Sequence, residues 1–277
     1  MRHSPNGVSI HPDVQALTTA TAARLITKLV DVQSRRGEAT VVLTGGTVGI
    51  ATLEAVTQSP ARGAVDWSRV NFWWGDERFL PSGSPDRNAV QAQAALLSRL
   101  PIESRRVHPV ASSDEVATVE EAALDYERRL AEAAAGERLP QGFEPADARL
   151  PRFDVLLLGV GPDAHIASLF PEMAGIRATG VTAVPVVDAP KPPPERVSLT
   201  LEAINTAEEV WLAVAGEDKA GAVGLALAGA GPVQVPAAGA QGRAKTRWLI
   251  DQAAASQLPE RLLDSGDEGS GEDPDAG

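Results

Sequence analysis

The sequence predicts an α/β fold, a single Rossmann-like domain with a mainly parallel sheet flanked by helices on both faces. Three observations carry this prediction. Short β-branched and aliphatic runs recur along the chain, most of them end near a glycine, and the stretch beyond takes up helical spacing. Strands alternating with helices need crossover connections, and these cover both faces of a parallel sheet. With 277 residues, 43% of them apolar, one such unit can fill a core, and an aromatic content of 4% leaves most of that filling to Ala, Val and Leu.

Residues 39–44 (ATVVLT) read as a strand ending at Gly45-Gly46, after which TVGIATLEAVTQ continues as a helix. Residues 70–74 (VNFWW) run into a loop, GDERFLPSGSPDRN, and then into the alanine-rich helix AVQAQAALLSRL, which Asn88 is expected to cap. The strand at 153–158 (FDVLLL) leads to GVGPDAHIASLFP, where Pro171 and Gly175 hold the following helix to little more than two turns. Strands at 196–200 (RVSLT) and 209–215 (EVWLAVA) come next, the second reaching a helix in GEDKAGAVGLALAG, and TRWLI at 246–250 is the last. Segments 136–152 and 188–196 are rich in Pro and charge and read as linkers, either surface connections or active-site flaps. No internal repeat is visible.

Residues 1–263 make up the expected domain. Residues 264–277 (DSGDEGSGEDPDAG) carry six carboxylates, no basic residue and no large apolar side chain, so they read as an acidic disordered tail. That tail holds half of the net charge of −12. The mildly acidic body argues against nucleic acid and anionic membrane as partners, because neutralising phosphates demands clustered Lys and Arg. A small anionic molecule remains compatible, since a few local cations and backbone N–H groups outweigh net charge. No apolar run is long enough for a membrane span, and the first residues lack the apolar stretch of a signal peptide. Cysteine is absent, which fits a reducing compartment. The expectation is a cytoplasmic protein, a monomer or small homo-oligomer.

In a parallel sheet, ligands sit beyond the carboxyl ends of the strands, so the strand-to-helix loops are where chemistry belongs. Gly45, Gly46 and Thr47 can turn backbone N–H groups toward a phosphate or carboxylate at a helix start, although an ordinary tight turn has the same appearance. No Walker lysine follows. Gly75-Asp76-Glu77-Arg78 places two carboxylates and a guanidinium straight after a strand, where Arg78 can grip an oxyanion. An ion-pair cluster at a helix start competes with that reading. Arg196 and Lys219 offer cations that converge with these loops only if their strands are neighbours.

Gly159-Val160-Gly161-Pro162-Asp163-Ala164 also fits the G-x-G-x-x-A dinucleotide fingerprint, with Asp188 as the ribose-binding acid. The short helix and Pro162, which lacks an N–H where phosphate contacts are needed, argue against it. His165, beside Asp163, remains. Neutral imidazole suits general-base hydrolysis, taking a proton from water and returning it. As a metal ligand His165 has no companions, so no metal and no cofactor are expected. Ser168 lacks a G-x-S-x-G elbow and is assigned to helix packing or capping. His3, His11 and His108 are assigned to structure or surface.

Four of these blocks, in this order, resemble the 6-phosphogluconolactonases. The family pattern has S-G-G-S-T-P, W-G-D-E-R, G-x-G-x-D-G-H-T-A-S-L-F-P, and R-V-T followed by G-x-x-K. This chain has TGGTVG, WGDERFLP, GVGPDAHIASLFP, RVSLT and GEDKA, spread over roughly residues 15–250. It is more distantly similar to the glucosamine-6-phosphate deaminases, toward which Ile166 leans, while Arg78 and SLFP lean back. The resemblance implies hydrolysis of 6-phospho-D-glucono-1,5-lactone in the oxidative pentose phosphate pathway. It also implies roles: His165 as the base, Asp163 orienting it, Arg78 stabilising the oxyanion, and Gly45, Gly46, Thr47, Arg196 and Lys219 holding phosphate, with Asp76 among the substrate-binding residues. Ala164 stands where the family has glycine, and a positive φ there is disfavoured by its Cβ. Val48-Gly49 replace Thr-Pro. A sugar-phosphate deaminase and a non-catalytic sugar-phosphate sensor are the alternative readings.

Overall fold

The computed structural model describes residues 7–137 and 146–258. The expected acidic tail, His3 and much of the 136–152 linker lie outside those residues. In chain order the elements are β1 (Gly7–His11), α1 (Val14–Arg36), β2 (Ala39–Leu43), α2 (Gly46–Gln58), β3 (Val70–Trp74), β4 (Asp76–Arg78), α3 (Asn88–Ala95) and α4 (Val119–Gly136). They continue with β5 (Val155–Leu158), β6 (Ala183–Val186), β7 (Arg196–Leu199), α5 (Leu201–Ile204), β8 (Glu209–Val214), α6 (Ala220–Leu227), α7 (Pro236–Gly239) and β9 (Lys245–Asp251).

Six strands form one parallel sheet in the order β1-β9-β8-β5-β2-β3. Strand residues alternate between two apolar layers, as the pleat requires. Val41, Leu43, Phe72 and Trp74 pack with Leu17, Leu25, Leu29 and Leu53 of α1 and α2. Val42, Trp73, Leu156 and Leu158 pack with Tyr126 and Leu130 of α4. Because both faces are covered, β5 is a continuous buried run of VLLL. This is the α/β architecture the sequence predicts. The helix α1, which the strand-centred reading does not include, is capped by Asp13 accepting from the Ala16 N–H at 2.8 Å and ends at Gly37, φ +80°.

The RVSLT strand departs from the prediction. It joins a second, antiparallel sheet of three strands, β4-β7-β6. The chain changes sheets at Gly75, whose N–H donates to Leu43 O and whose carbonyl accepts from the Leu199 N–H, both at 2.9 Å. The charged Asp76-Glu77-Arg78 segment, expected as loop, is therefore a short strand, its backbone satisfied by β7.

The chain reverses its order of advance between β2 and β5, and loops beyond the carboxyl ends of those neighbours frame a crevice. At the opposite pole a cleft of about 780 Å³ opens beside the first residues of β2 and β3. Four of its arginines are in ion pairs, Arg36 with Asp154, Arg69 with Asp66, Arg105 with Glu103 and Arg106 with Glu38, and they serve the fold.

Candidate active site

The turn after β2 is built as expected. Gly46 takes φ +78°, which glycine alone adopts freely, and Gly46 and Thr47 are exposed at the start of α2. The Thr47 hydroxyl has no hydrogen-bond partner among the described residues. Gly45 is required for a different reason: a Cβ there would lie 1.9 Å from Asn88 Oδ1. Asn88 does not cap α3. It is the first residue of the helix, buried, and its Nδ2 donates to Asp76 O at 2.9 Å. This ties the first loop to the second.

The cap of α3 comes from Glu77. Its buried carboxylate accepts from the N–H groups of Arg78, Asn88 and Ala89, each at 2.8 Å, with Arg87 3.7 Å away. Burial nonetheless raises its pKa against the pull of those donors and of Arg87. Asp76 is also buried and accepts from Ser168 Oγ at 2.7 Å, while the Ser168 N–H donates to Ser198 Oγ at 3.1 Å. Ser168 thus belongs to a polar link between β4, β7 and the third loop, not to a helix.

Arg78 and Arg196 are register partners across β4 and β7 and project from the same face. Arg78 Nη1 donates to Asp86 O at 2.6 Å, and its Nε is buried without a partner among the described residues. Arg196 is 5% exposed and lies over the Phe170 ring, 5.7 Å from its centroid. Burial lowers its pKa, Asp76 works against that, and Arg78 adds to it. Two like charges held opposite one another destabilise a bare sheet, and an anion between them removes the repulsion. Arg196 is not a free cation, however. Its Nε donates to Pro193 O at 3.1 Å and its Nη2 to Lys191 O and Pro192 O at 2.9 and 3.2 Å.

Residues 162–173 contain no helix. The third loop is a tight turn, in which Gly161 N–H donates to His165 O and Ala164 N–H to Gly161 O, both at 2.9 Å. His165 Nδ1 lies 2.5 Å from Asp163 Oδ1, and the ring packs against Phe170 with centroids 4.6 Å apart. With Nδ1–H donated to the carboxylate, Nε2 carries the lone pair, the tautomer a general base needs. Burial works to raise the Asp163 pKa, but the hydrogen bond and charge of His165, with help from Lys191, bring it down to about 2. Ala164 does adopt φ +67°, the left-handed region that its Cβ disfavours. Its carbonyl accepts from the Ala237 N–H at 3.0 Å, which helps hold that conformation.

Lys219 occupies the position before α6 without a side-chain capping bond, and its Nζ pairs with Asp218 at 2.5 Å. The residue that sequence reasoning passed over is Lys191, placed in a linker. It acts electrostatically on both Asp163 and Asp218, which lie on different loops. The proline-rich run PKPPP signals a stiff segment between two strands, and that was the available clue.

The carboxyl edge of the large sheet thus presents a histidine–aspartate pair beside a glycine turn and clustered guanidinium groups, an arrangement that defines a class of α/β enzymes acting on small anionic substrates. Comparison with known proteins narrows the class. The chain belongs to the glucosamine-6-phosphate isomerase/6-phosphogluconolactonase family, whose model matches residues 12–248. It is 57% identical over 255 residues to the 6-phosphogluconolactonase of Streptomyces coelicolor, covering 91% of this chain and 95% of that one. It is 44% identical over 256 residues to that of Mycobacterium tuberculosis, covering 92% and 99%. Among solved structures, 6-phosphogluconolactonase from Trypanosoma brucei aligns over 92% of this chain and all of its own, with a TM-score of 0.78 and 25% identity.

Proposed function

We propose that this protein hydrolyses 6-phospho-D-glucono-1,5-lactone to 6-phospho-D-gluconate, as its named relatives indicate, and that it does so with its own side chains. The observation that carries the mechanism is the His165–Asp163 pair, oriented so that Nε2 is the free acceptor. Nε2 takes a proton from water as the water oxygen bonds to the lactone carbonyl carbon. The carbonyl becomes a tetrahedral oxyanion, which Arg78 stabilises. When the intermediate collapses, the bond to the ring oxygen breaks and that oxygen receives the proton from His165. The phosphate lies at the start of α2, against Gly45, Gly46 and Thr47, with Lys219 and the remaining donor capacity of Arg196. Asp76 holds Ser168 in place by accepting from its hydroxyl. The reaction belongs to the oxidative pentose phosphate pathway, and the cytoplasm, a reducing compartment that suits a cysteine-free chain, is the proposed location.

The test is continuous titration of acid release from the δ-lactone. Intact protein accelerates hydrolysis over the spontaneous rate, and His165→Ala removes most of the acceleration while 6-phosphogluconate still binds. No acceleration by the intact protein, or ammonia release from glucosamine 6-phosphate in its place, overturns the assignment.

A further inference from the structure

A single hydrogen bond does not orient a ring. The contact between His165 Nδ1 and Asp163 Oδ1 fixes one atom of the imidazole, and χ2 of a histidine is a broad torsion that leaves the plane free to swing about that point. A second contact removes the swing. The Phe170 ring lies 4.6 Å from the imidazole, centroid to centroid, at an interplanar angle of 36°. Phe170 is itself held from several sides: it is 2% exposed, packs with Val186, Ala189 and Met173, and has the Arg196 guanidinium 5.7 Å from its centroid. Val186 and Arg196 are register partners across β6 and β7. The phenyl ring therefore rests on the small sheet and presents an apolar surface to a histidine whose loop leaves the large one.

From these contacts we propose that Phe170 is a positioning residue for the general base, setting the plane of the His165 ring and so the direction in which Nε2 presents its lone pair. A phenyl ring suits this work because it carries no donor or acceptor of its own. It restrains the imidazole without engaging Nε2, which stays open to water. A branched aliphatic side chain at the same position fills space but offers no flat face. Arg196, whose Nε and Nη2 are spent on loop carbonyls, steadies Phe170 through the face of its guanidinium.

The role rests on the lactonase reading, and the test lets the two fail separately. Phe170→Leu keeps an apolar side chain and removes the flat face. On 6-phosphogluconolactone its expected kcat is about ten-fold below that of the unmodified protein, with KM within about two-fold, because the ring is loosened while the substrate's binding groups are untouched. Orientation is read apart from rate. One Gly161 Hα points at the imidazole Cε1, since a Cβ in its place would lie 2.1 Å away. A strong nuclear Overhauser effect between Gly161 Hα and His165 Hε1 is expected in the unmodified protein and weakens in Phe170→Leu. An unchanged kcat, a loss carried by KM alone, or an undiminished Overhauser effect overturns the role of Phe170. Should Phe170→Leu fail to fold, Phe170→Met, whose flexible chain fills irregular gaps, is judged by the same criteria. Failure of the unmodified protein to hydrolyse the lactone overturns the lactonase reading instead, and the Overhauser measurement, which needs no substrate, still decides for or against Phe170.

Discussion

Tyr126 of α4 closes the end of β3 by holding both backbone groups of Trp74: its Oη accepts from the Trp74 N–H at 2.9 Å and donates to the Trp74 carbonyl at 2.8 Å. Trp74 immediately precedes Gly75, where the chain leaves the large sheet. A side chain thus stands in for the neighbouring strand that an edge position lacks. Tyr126→Phe leaves both groups buried without partners, and a loss of about 1–3 kcal/mol in unfolding free energy is expected from urea titration. The same variant should lower kcat more than it changes KM, because Arg78, the proposed oxyanion-stabilising group, moves with β4.

The turn that carries His165 depends on a missing atom. A Cβ at Gly161 would lie 2.1 Å from the imidazole Nδ1 and Cε1 and 2.5 Å from Asp163 Oδ1. Gly161→Ala therefore displaces the ring from its carboxylate, and a displacement of about 1 Å is worth roughly a hundred-fold in rate. Expected are a fall in kcat of that order and a melting temperature that changes little, measured on the same preparation.

His108 gives a dependence on pH far from the chemistry. Its ring stacks on Trp73, with centroids 4.2 Å apart, and its pKa is lowered to about 4 by burial and then by Arg129 and Arg106. Between the ordinary imidazole value and pH 4 the unfolded chain takes up a proton that the folded chain refuses, so stability falls as the pH drops through this window. His108→Phe keeps the stacking and removes the titration. Denaturant midpoints at pH 7 and pH 5 should then differ less in the variant than in the parent; an equal difference would exclude His108 as the source.

The parallel core was legible because each strand is an apolar run bounded by a turn signal, and the loops at its carboxyl edge follow from that alone. His165 with Asp163 was legible for the same reason. The roles of Ser168 and Asn88 were not, because their partners are distant in the chain: Ser168 bonds to Asp76, 92 positions away. Local reasoning assigned Asn88 to a helix cap and Ser168 to helix packing or capping, common uses of such residues. The strand at Asp76–Arg78 was hidden for a related reason, since three charged residues contradict strand propensity and only pairing with β7 overrides it. Nor could the chain's order alone reveal that Arg196 points back at its own loop.

The change of sheet at Gly75 divides labour between two scaffolds. The loop that bears His165 and Asp163 leaves the six-stranded sheet, whereas Arg78 and Arg196 stand on the three-stranded one. Any shift of the small sheet against the large one therefore changes the spacing between imidazole and guanidinium groups, and the Ser168 bridge to Asp76 and Ser198 is what sets that spacing.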